Sequence, residues 1–191
     1  MKRLTLCMSL CTLMLGIYAN AQTSLIKLPM EQLPSKLIVS KKTIEERTAS
    51  FENYSTLSSI LKSTHLDKVL AYDGEFTVFA PSNTAFKKLP KLTADKLLDP
   101  KNSKVLRDVL SYHIIAGNFS ASSILRAMCR GNGVARFTTI LGEKITATMN
   151  GIDIVLTDNA GNKATIVRAD STQSNGVIHE IDAVFLPIRI Y

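Results

Sequence analysis

The chain has 191 residues, of which 46% are hydrophobic and 20% are charged, and its formal net charge is +7. This composition is typical of a folded globular protein and excludes an intrinsically disordered, collagen-like or rod-like coiled-coil chain. Basic residues are scattered among acidic ones without a nucleic-acid-binding signature, so nucleic acid is not expected as a partner. The length fits one domain preceded by a short N-terminal segment.

The first 21 residues have the organisation of a secretory signal peptide. Lys2 and Arg3 precede an apolar stretch, and the small residues Ala19 and Ala21 match a cleavage pattern. A signal anchor is the alternative, but polar residues interrupt the apolar stretch. We therefore expect cleavage after Ala21 and an exported protein that is periplasmic, displayed at the cell surface or secreted. No later apolar run is long enough to span a bilayer, so the mature chain is expected to have no transmembrane segment.

Residues 22–47 are predicted to form a linker or loosely docked N-terminal arm. Pro29 and Pro34 interrupt this stretch, which shows no sustained apolar period. A single folded domain is then expected to span residues 48–191.

The first half of this domain has the apolar spacing of short helices around one strand. A helix from Ser55 is expected to break near His65, because the apolar positions beyond it fall on a different face. The β-rich residues 75–80 predict a strand, followed by a capping turn and a helix. Thr93 is predicted to cap a short helix over residues 95–98, and a helix over residues 105–113 follows. Ser120 or Ser122 is predicted to cap the last helix.

The second half is predicted to be an antiparallel β-meander. Its β-rich segments are residues 136–141, 144–149, 151–157, 163–168 and 177–186, separated by glycine-containing turns. Asn150 and Gly151 predict a two-residue hairpin with a type I′ turn. Helices followed by a meander indicate the α+β class.

The chemistry-bearing side chains favour structural roles. His113 lies on an apolar helical stripe and His179 in a β-strand, where each is expected to be a hydrogen-bonded core residue. No second ligand stands at metal-binding spacing from His179, and Ser171, His179 and Asp182 lack the turn of a hydrolase nucleophile. Cys129, alone after loss of the signal segment, is interpreted as an incidental thiol that cannot form an intramolecular disulfide. We therefore expect no catalytic residue, no metal and no cofactor.

Three segments resemble motifs of the fasciclin (FAS1) family. Residues 76–86 (FTVFAPSNTAF) are similar to its first signature, residues 110–115 to its tyrosine-histidine motif, and residues 170–187 to its second signature. The resemblance covers roughly residues 50–187. It implies an α+β fold, a β-wedge or sandwich of about seven strands with short helices packed on the N-terminal half. The two signature segments are expected to lie together.

The resemblance also implies a non-enzymatic interaction module. We expect cell-surface adhesion or binding of a surface protein or glycan through the turns of the two signatures, with homo-oligomerisation as a further expectation. The alternative is a carrier of an apolar small molecule such as a carotenoid or lipid. Residues 128–134 depart from the family pattern and are a second place to look for binding specific to this chain. The expected binding residues are Pro81, Ser82, Asn83, Thr84, Tyr112, His113, Asn175, Gly176 and His179.

Overall fold

A computed structural model describes residues 41–71 and 74–187. The predicted signal peptide and most of the predicted arm lie outside these residues. Within them, the predicted α+β class is confirmed by one seven-stranded sheet with short helices packed against it.

The helices are concentrated before residue 131. They are α1 (Ile44–Ser50), α2 (Ser55–Ser63), α3 (Leu66–Ala71), α4 (Asn83–Lys87), α5 (Lys91–Leu98), α6 (Ser103–Tyr112) and α7 (Ala121–Arg130), with 3-10 turns at Glu52–Tyr54 and Pro100–Asn102. The strands are β1 (Phe76–Pro81), β2 (Ile114–Ala116), β3 (Val134–Thr138), β4 (Lys144–Asn150), β5 (Asp153–Thr157), β6 (Lys163–Gln173) and β7 (Gly176–Ile181).

Two helix boundaries are confirmed and one is wrong. The break between α2 and α3 lies at His65, whose φ of 58° ends the helical path. Ser120 caps α7 by accepting from the backbone N–H of Ser123. Thr93 is not a cap: α5 already begins at Lys91, because Pro90 presets a φ suited to the position before a helix.

Helix α1 begins inside the stretch for which the sequence predicts a linker or arm. Thr43 and Glu46 form a capping box, in which each side chain accepts from the backbone N–H of the other residue. Ile44 is fully buried. The residues just before position 48 are therefore packed on the domain. They form a helix too short to show an apolar period in the sequence.

The sheet has the strand order β2-β1-β7-β6-β5-β4-β3. From β3 to β7 it is the predicted antiparallel meander. The last strand then pairs in parallel with β1, so the two signature segments lie side by side as expected. Ile115 bridges to Thr139 just beyond β3, which brings the two edges of the sheet together and nearly closes it.

Several predicted strand limits are corrected. The strand expected over residues 136–141 is β3 at Val134–Thr138, and the one expected over 163–168 continues to Gln173 through irregular pairing. The last strand ends at Ile181 rather than at residue 186. The β4–β5 hairpin pairs Asn150 with Asp153, so its two-residue loop is Gly151–Ile152. Of these two loop residues only Gly151 has a positive φ, which corresponds to a type II′ turn rather than the predicted type I′ turn.

Two apolar clusters occupy the two faces of the central strands. Val78 and Ile178 point to the cluster beneath the helices, whereas Phe79 and Ile181 point into the concave side of the sheet. Strands β1 and β7 are consequently buried on both faces, which is usual for parallel strands. Removing the apolar side chains of both faces from water stabilises the fold by roughly 25 cal/mol per Å² of apolar area buried.

Candidate functional site

The turn after β1 is held by the side chain of Asn83. Its Oδ1 accepts from the backbone N–H of Thr56 at 3.0 Å, and its Nδ2 donates to Glu52 O and Ser55 Oγ, each at 2.9 Å. Ser82 caps the five-residue helix α4 by accepting from Ala85 N. The first signature turn is therefore fixed to the segment that begins α2.

The turn before β7 is held in the same way by Asn175. Its Oδ1 accepts from Ile44 N at 2.9 Å, and its Nδ2 donates to Leu70 O at 2.5 Å. Gly176 has a φ of 143°, and a Cβ there would lie 1.9 Å from Phe76 O. The second signature turn thus joins α1 and α3 to the sheet, and only glycine fits at its end.

The two signature turns lie at opposite ends of the strands that they flank. The parallel register runs from Phe76 opposite Gly176 to Pro81 opposite Ile181. Six paired residues place the turns about 20 Å apart. The expectation that both turns contact a partner therefore describes two separated surfaces, and a small ligand reaches only one of them.

The expected binding residues differ in their exposure. Thr84 is exposed, and Asn83 and Asn175 are partly buried by the bonds just described. The other six are buried, so their side chains reach no partner in this conformation: Pro81, Ser82, Tyr112, His113, Gly176 and His179. A direct contact is open chiefly to Thr84, and the buried residues shape the surface around it.

The buried His113 has the structural role predicted for it. Its Nδ1 lies 2.7 Å from Val109 O, and its Nε2 accepts from Phe185 N at 3.0 Å. Burial, only partly opposed by the bond to Val109, lowers the pKa of His113 to about 4. The ring is therefore neutral at pH 7, with its proton on Nδ1, and it fixes the chain that follows β7.

His179 also bonds only to backbone. Its Nδ1 accepts from Asp170 N at 3.2 Å and its Nε2 donates to Phe119 O at 2.8 Å. Burial lowers the pKa of His179, against opposing contributions from the Phe119 carbonyl and the Asp170 carboxylate. Asp170, at a φ of 59°, accepts from Ala121 N at 2.7 Å. The histidine therefore holds the entry to α7 against β6.

Neither a triad nor a metal cluster is assembled. Asp182 accepts from Thr165 N and Lys88 Nζ, and Ser171 Oγ accepts from Gln173, so His179 bonds to neither of these side chains. Across residues 41–71 and 74–187, no three His, Cys, Asp or Glu side chains are grouped as metal ligands. Tyr112 bonds through its hydroxyl to Lys144 O and Asn159 N and likewise supports the fold.

Thr77 is a buried polar residue that the sequence analysis did not single out. Its Oγ1 donates to Gly117 O at 2.7 Å and accepts from Phe119 N at 2.8 Å. The signal in the sequence is a threonine on the same strand face as Phe79, where an apolar residue is expected. Thr77 and His179 together secure the loop between β2 and α7.

A surface groove of about 400 Å³ opens at the end of β1. It is lined by Phe51, Glu52, Asn53, Asn83, Thr84 and Lys87. All but one of these side chains are polar, and Glu52, Thr84 and Lys87 are exposed. Such a lining suits polar contacts with a peptide or sugar and does not favour the apolar carrier.

The far wall of the groove is anchored by Glu180. Glu180 is 7% exposed, and its carboxylate accepts from Asn53 Nδ2 at 3.1 Å and from the Tyr54 hydroxyl at 3.2 Å. Burial first, and then the negative charge of Glu180, raise the pKa of Tyr54, so the hydroxyl keeps its proton and donates it. The backbone of Glu52 and the side chains of Asn53 and Asn83 are thus held in place before any partner binds, which lowers the entropic cost of binding.

The comparisons with known proteins agree on one family. The family model described as the Fasciclin domain matches residues 52–187. Protein sll1483 of Synechocystis is 39% identical over 145 residues, covering 76% of this chain and 73% of its own. Cell surface glycolipoprotein MPB83 of Mycobacterium bovis is 35% identical over 137 residues, covering 70% of this chain and 55% of its own.

The fold is also found among solved structures. A FAS1 domain pair from the insect cell adhesion molecule fasciclin I superposes with a TM-score of 0.70 at 20% identity, over 78% of this chain and 52% of that one. Across the part of the chain that the structure describes, no helix has both the length and the apolar character that a bilayer crossing requires.

Proposed function

The chain belongs to the fasciclin family, and on that premise we propose that it is an exported, non-enzymatic interaction module whose partner binds in the groove beside the first signature turn. The partner class is a surface protein or a glycan. The names of two similar proteins, a cell surface glycolipoprotein and a cell adhesion molecule, support a role at a cell surface. Export itself rests on the predicted signal peptide of residues 1–21.

The observation that carries the proposal is the set of hydrogen bonds that holds both walls of the groove. Asn83 fixes one wall by three hydrogen bonds, and Glu180 fixes the other through Asn53 and Tyr54. A polar loop surface on a rigid scaffold is the common location of binding sites. The second signature turn, at the opposite end of β1 and β7, offers exposed residues such as Thr172 but belongs to a separate surface.

The groove is tested by a pair of arginine variants. Thr84→Arg places a long charged side chain in the groove, whereas Thr172→Arg makes the same change at the other end of the strands. Both positions are exposed, so neither variant is expected to unfold the domain. Binding of fluorescently labelled protein to intact source cells gives the dissociation constant. We expect Thr84→Arg to raise it at least tenfold, which corresponds to about 1.4 kcal/mol, and Thr172→Arg to leave it unchanged.

The same binding measurement separates the two partner classes. Protease treatment of the cells removes binding to a protein, and periodate oxidation removes binding to a glycan. Equal effects of Thr84→Arg and Thr172→Arg would refute the groove as the binding surface. Size-exclusion chromatography with light scattering and a full absorption spectrum then tests the remaining expectations: an oligomer supports homo-association, and a bound chromophore would replace the proposal with the carrier.

A further inference from the structure

The helical half of the domain carries an uneven distribution of charge. Residues 83–112, which span α4, α5 and α6, contain seven basic and three acidic residues. Two of the basic side chains are engaged: Lys88 pairs with Asp182 at 3.3 Å, and Arg107 donates to Thr64 O at 2.9 Å. The other five are exposed and form no side-chain hydrogen bond or ion pair within the described residues. We call them the lysine face: Lys87, Lys91, Lys96, Lys101 and Lys104.

Local hydrogen bonds bring most of these lysines around one short helix. Asn102 Nδ2 donates to Lys96 O at 2.7 Å, which folds the start of α6 back against the end of α5. Asp99 accepts from Lys101 N at 2.9 Å and shapes the 3-10 turn between the two helices. Lys96 and the turn that carries Lys101 are therefore neighbours, and α5, which carries Lys91 and Lys96, packs against α6, which carries Lys104 near its start.

An apolar side chain stands within this basic surface. Leu92, the second residue of α5, is 82% exposed, whereas Leu97 on the same helix is only 2% exposed. Lys96 follows Leu92 by one helical turn, so both lie on the side of α5 that faces away from Leu97. Asp95 shares this exposed side and offsets one of the positive charges. The surface still combines an excess of lysines with one protruding leucine.

We infer that the lysine face docks on anionic lipid headgroups, with Leu92 entering the boundary between headgroups and acyl chains. The excess of unpaired ammonium groups complements a negatively charged surface. Lysine stems can lie along an apolar boundary while their ammonium groups remain in water. A soluble anionic polysaccharide would also attract the lysines but offers Leu92 no apolar phase, and the exposed leucine therefore favours a bilayer.

This inference is independent of the proposed groove, with which the lysine face shares only Lys87. Its test therefore leaves Lys87 unchanged. One variant replaces Lys91, Lys96, Lys101 and Lys104 with glutamine. The matched control removes the same net charge from the other half of the domain by replacing Arg130, Arg136, Lys144 and Lys163, all exposed, with glutamine. A third variant is Leu92→Ala.

Binding is measured by co-sedimentation of the purified chain, without residues 1–21, with vesicles of equal parts phosphatidylglycerol and phosphatidylcholine, and with phosphatidylcholine vesicles alone. Each lysine near an anionic surface is worth about a fivefold change in partitioning. We expect the partition coefficient for the anionic vesicles to fall at least about 100-fold in the four-lysine variant, less than tenfold in the control variant, and about tenfold in Leu92→Ala. Circular dichroism establishes that each variant is folded.

Three results would overturn the inference. The first is wild-type protein that does not bind the anionic vesicles, and the second is equal loss in the two charge variants, which would indicate net charge alone. The third is unchanged vesicle binding by Leu92→Ala together with equally tight, lysine-dependent binding to soluble polygalacturonate, which would assign the face to polysaccharide. Thr84→Arg is expected to bind vesicles like the wild type, so failure of the groove proposal is detected separately.

Discussion

Gly176 is the position where the structure makes its sharpest prediction. Its φ of 143° lies in a region that side chains rarely adopt, and an added Cβ would meet Phe76 O at 1.9 Å and Phe76 N at 2.8 Å. Phe76 cannot retreat, because its N–H donates to Asn175 O and its strand is buried on both faces. Gly176→Ala therefore forces apart the first pair of the parallel β1–β7 ladder.

The size of the effect follows from two contributions. The backbone conformation alone costs about 1–3 kcal/mol for a residue with a side chain. Relief of the clash requires a backbone shift of more than about 1 Å in a close-packed core, which brings the total above about 4 kcal/mol. That is a large fraction of the stability of an ordinary domain, about 5–15 kcal/mol.

Gly161→Ala is the matched control. Gly161 has a φ of 86°, but nothing lies within 4 Å of an added Cβ. It therefore bears the conformational cost without the clash, and we expect its free energy of unfolding to fall by only about 1–2 kcal/mol. Urea unfolding followed by circular dichroism measures both variants. A Gly176→Ala protein within 1 kcal/mol of Gly161→Ala would refute the steric argument; a Gly176→Ala chain that never folds, beside a folded Gly161→Ala, agrees with it.

Three further predictions concern the buried polar groups. The pKa of His113 lies below its unfolded value, so its stabilising contribution is present above about pH 6.5 and is lost as the pH falls towards 4. Urea unfolding at pH 7 and pH 5 is expected to differ by about 2 kcal/mol in free energy, and a difference under about 0.5 kcal/mol would contradict the burial of the neutral ring. Asn175→Ala leaves backbone groups of α1 and α3 without partners and is expected to lower the free energy of unfolding by about 2 kcal/mol. Amide hydrogen exchange in α1 is expected to become faster, and unchanged exchange there would contradict the role of Asn175. Thr77→Val keeps the shape but removes two hydrogen bonds, with an expected loss of about 2 kcal/mol by thermal unfolding, whereas Thr84→Val, on the surface, is expected to stay within about 0.5 kcal/mol.

The sequence predicted local structure well because local structure here follows local patterns. Apolar spacing separated α2 from α3 at His65, and Ser120 was identified as a cap by its side chain and position. Strand boundaries shifted by several residues because a strand ends where its partner ends, which the sequence of one strand does not contain. The β4–β5 turn was predicted one residue early, at Asn150 and Gly151. The strand register pairs Asn150 with Asp153 and so makes Gly151 and Ile152 the loop, and this register is not contained in the local sequence.

The surface was less predictable than the fold. The signature residues were expected to bind a partner. Instead, the side chains of Asn83 and Asn175 form hydrogen bonds with backbone groups 27 to 131 residues away in sequence. Such distant pairing has no signature in a single chain. The groove beside Thr84 was also not predicted, because its walls come from the segment before α2 and from α4, which lie about 30 residues apart in the sequence.

The parallel pairing of β1 with β7 also determines when the domain can fold. Phe76 finds its partner only at Gly176, one hundred residues later in the chain, and β7, which lies between β1 and β6, follows all the other strands of the sheet in the sequence. Closing so long a loop is an entropic barrier that slows folding. Before Gly176–Ile181 has emerged, β1 and β6 each have an unpaired edge, so both edges are open to chaperones and proteases until β7 docks between them.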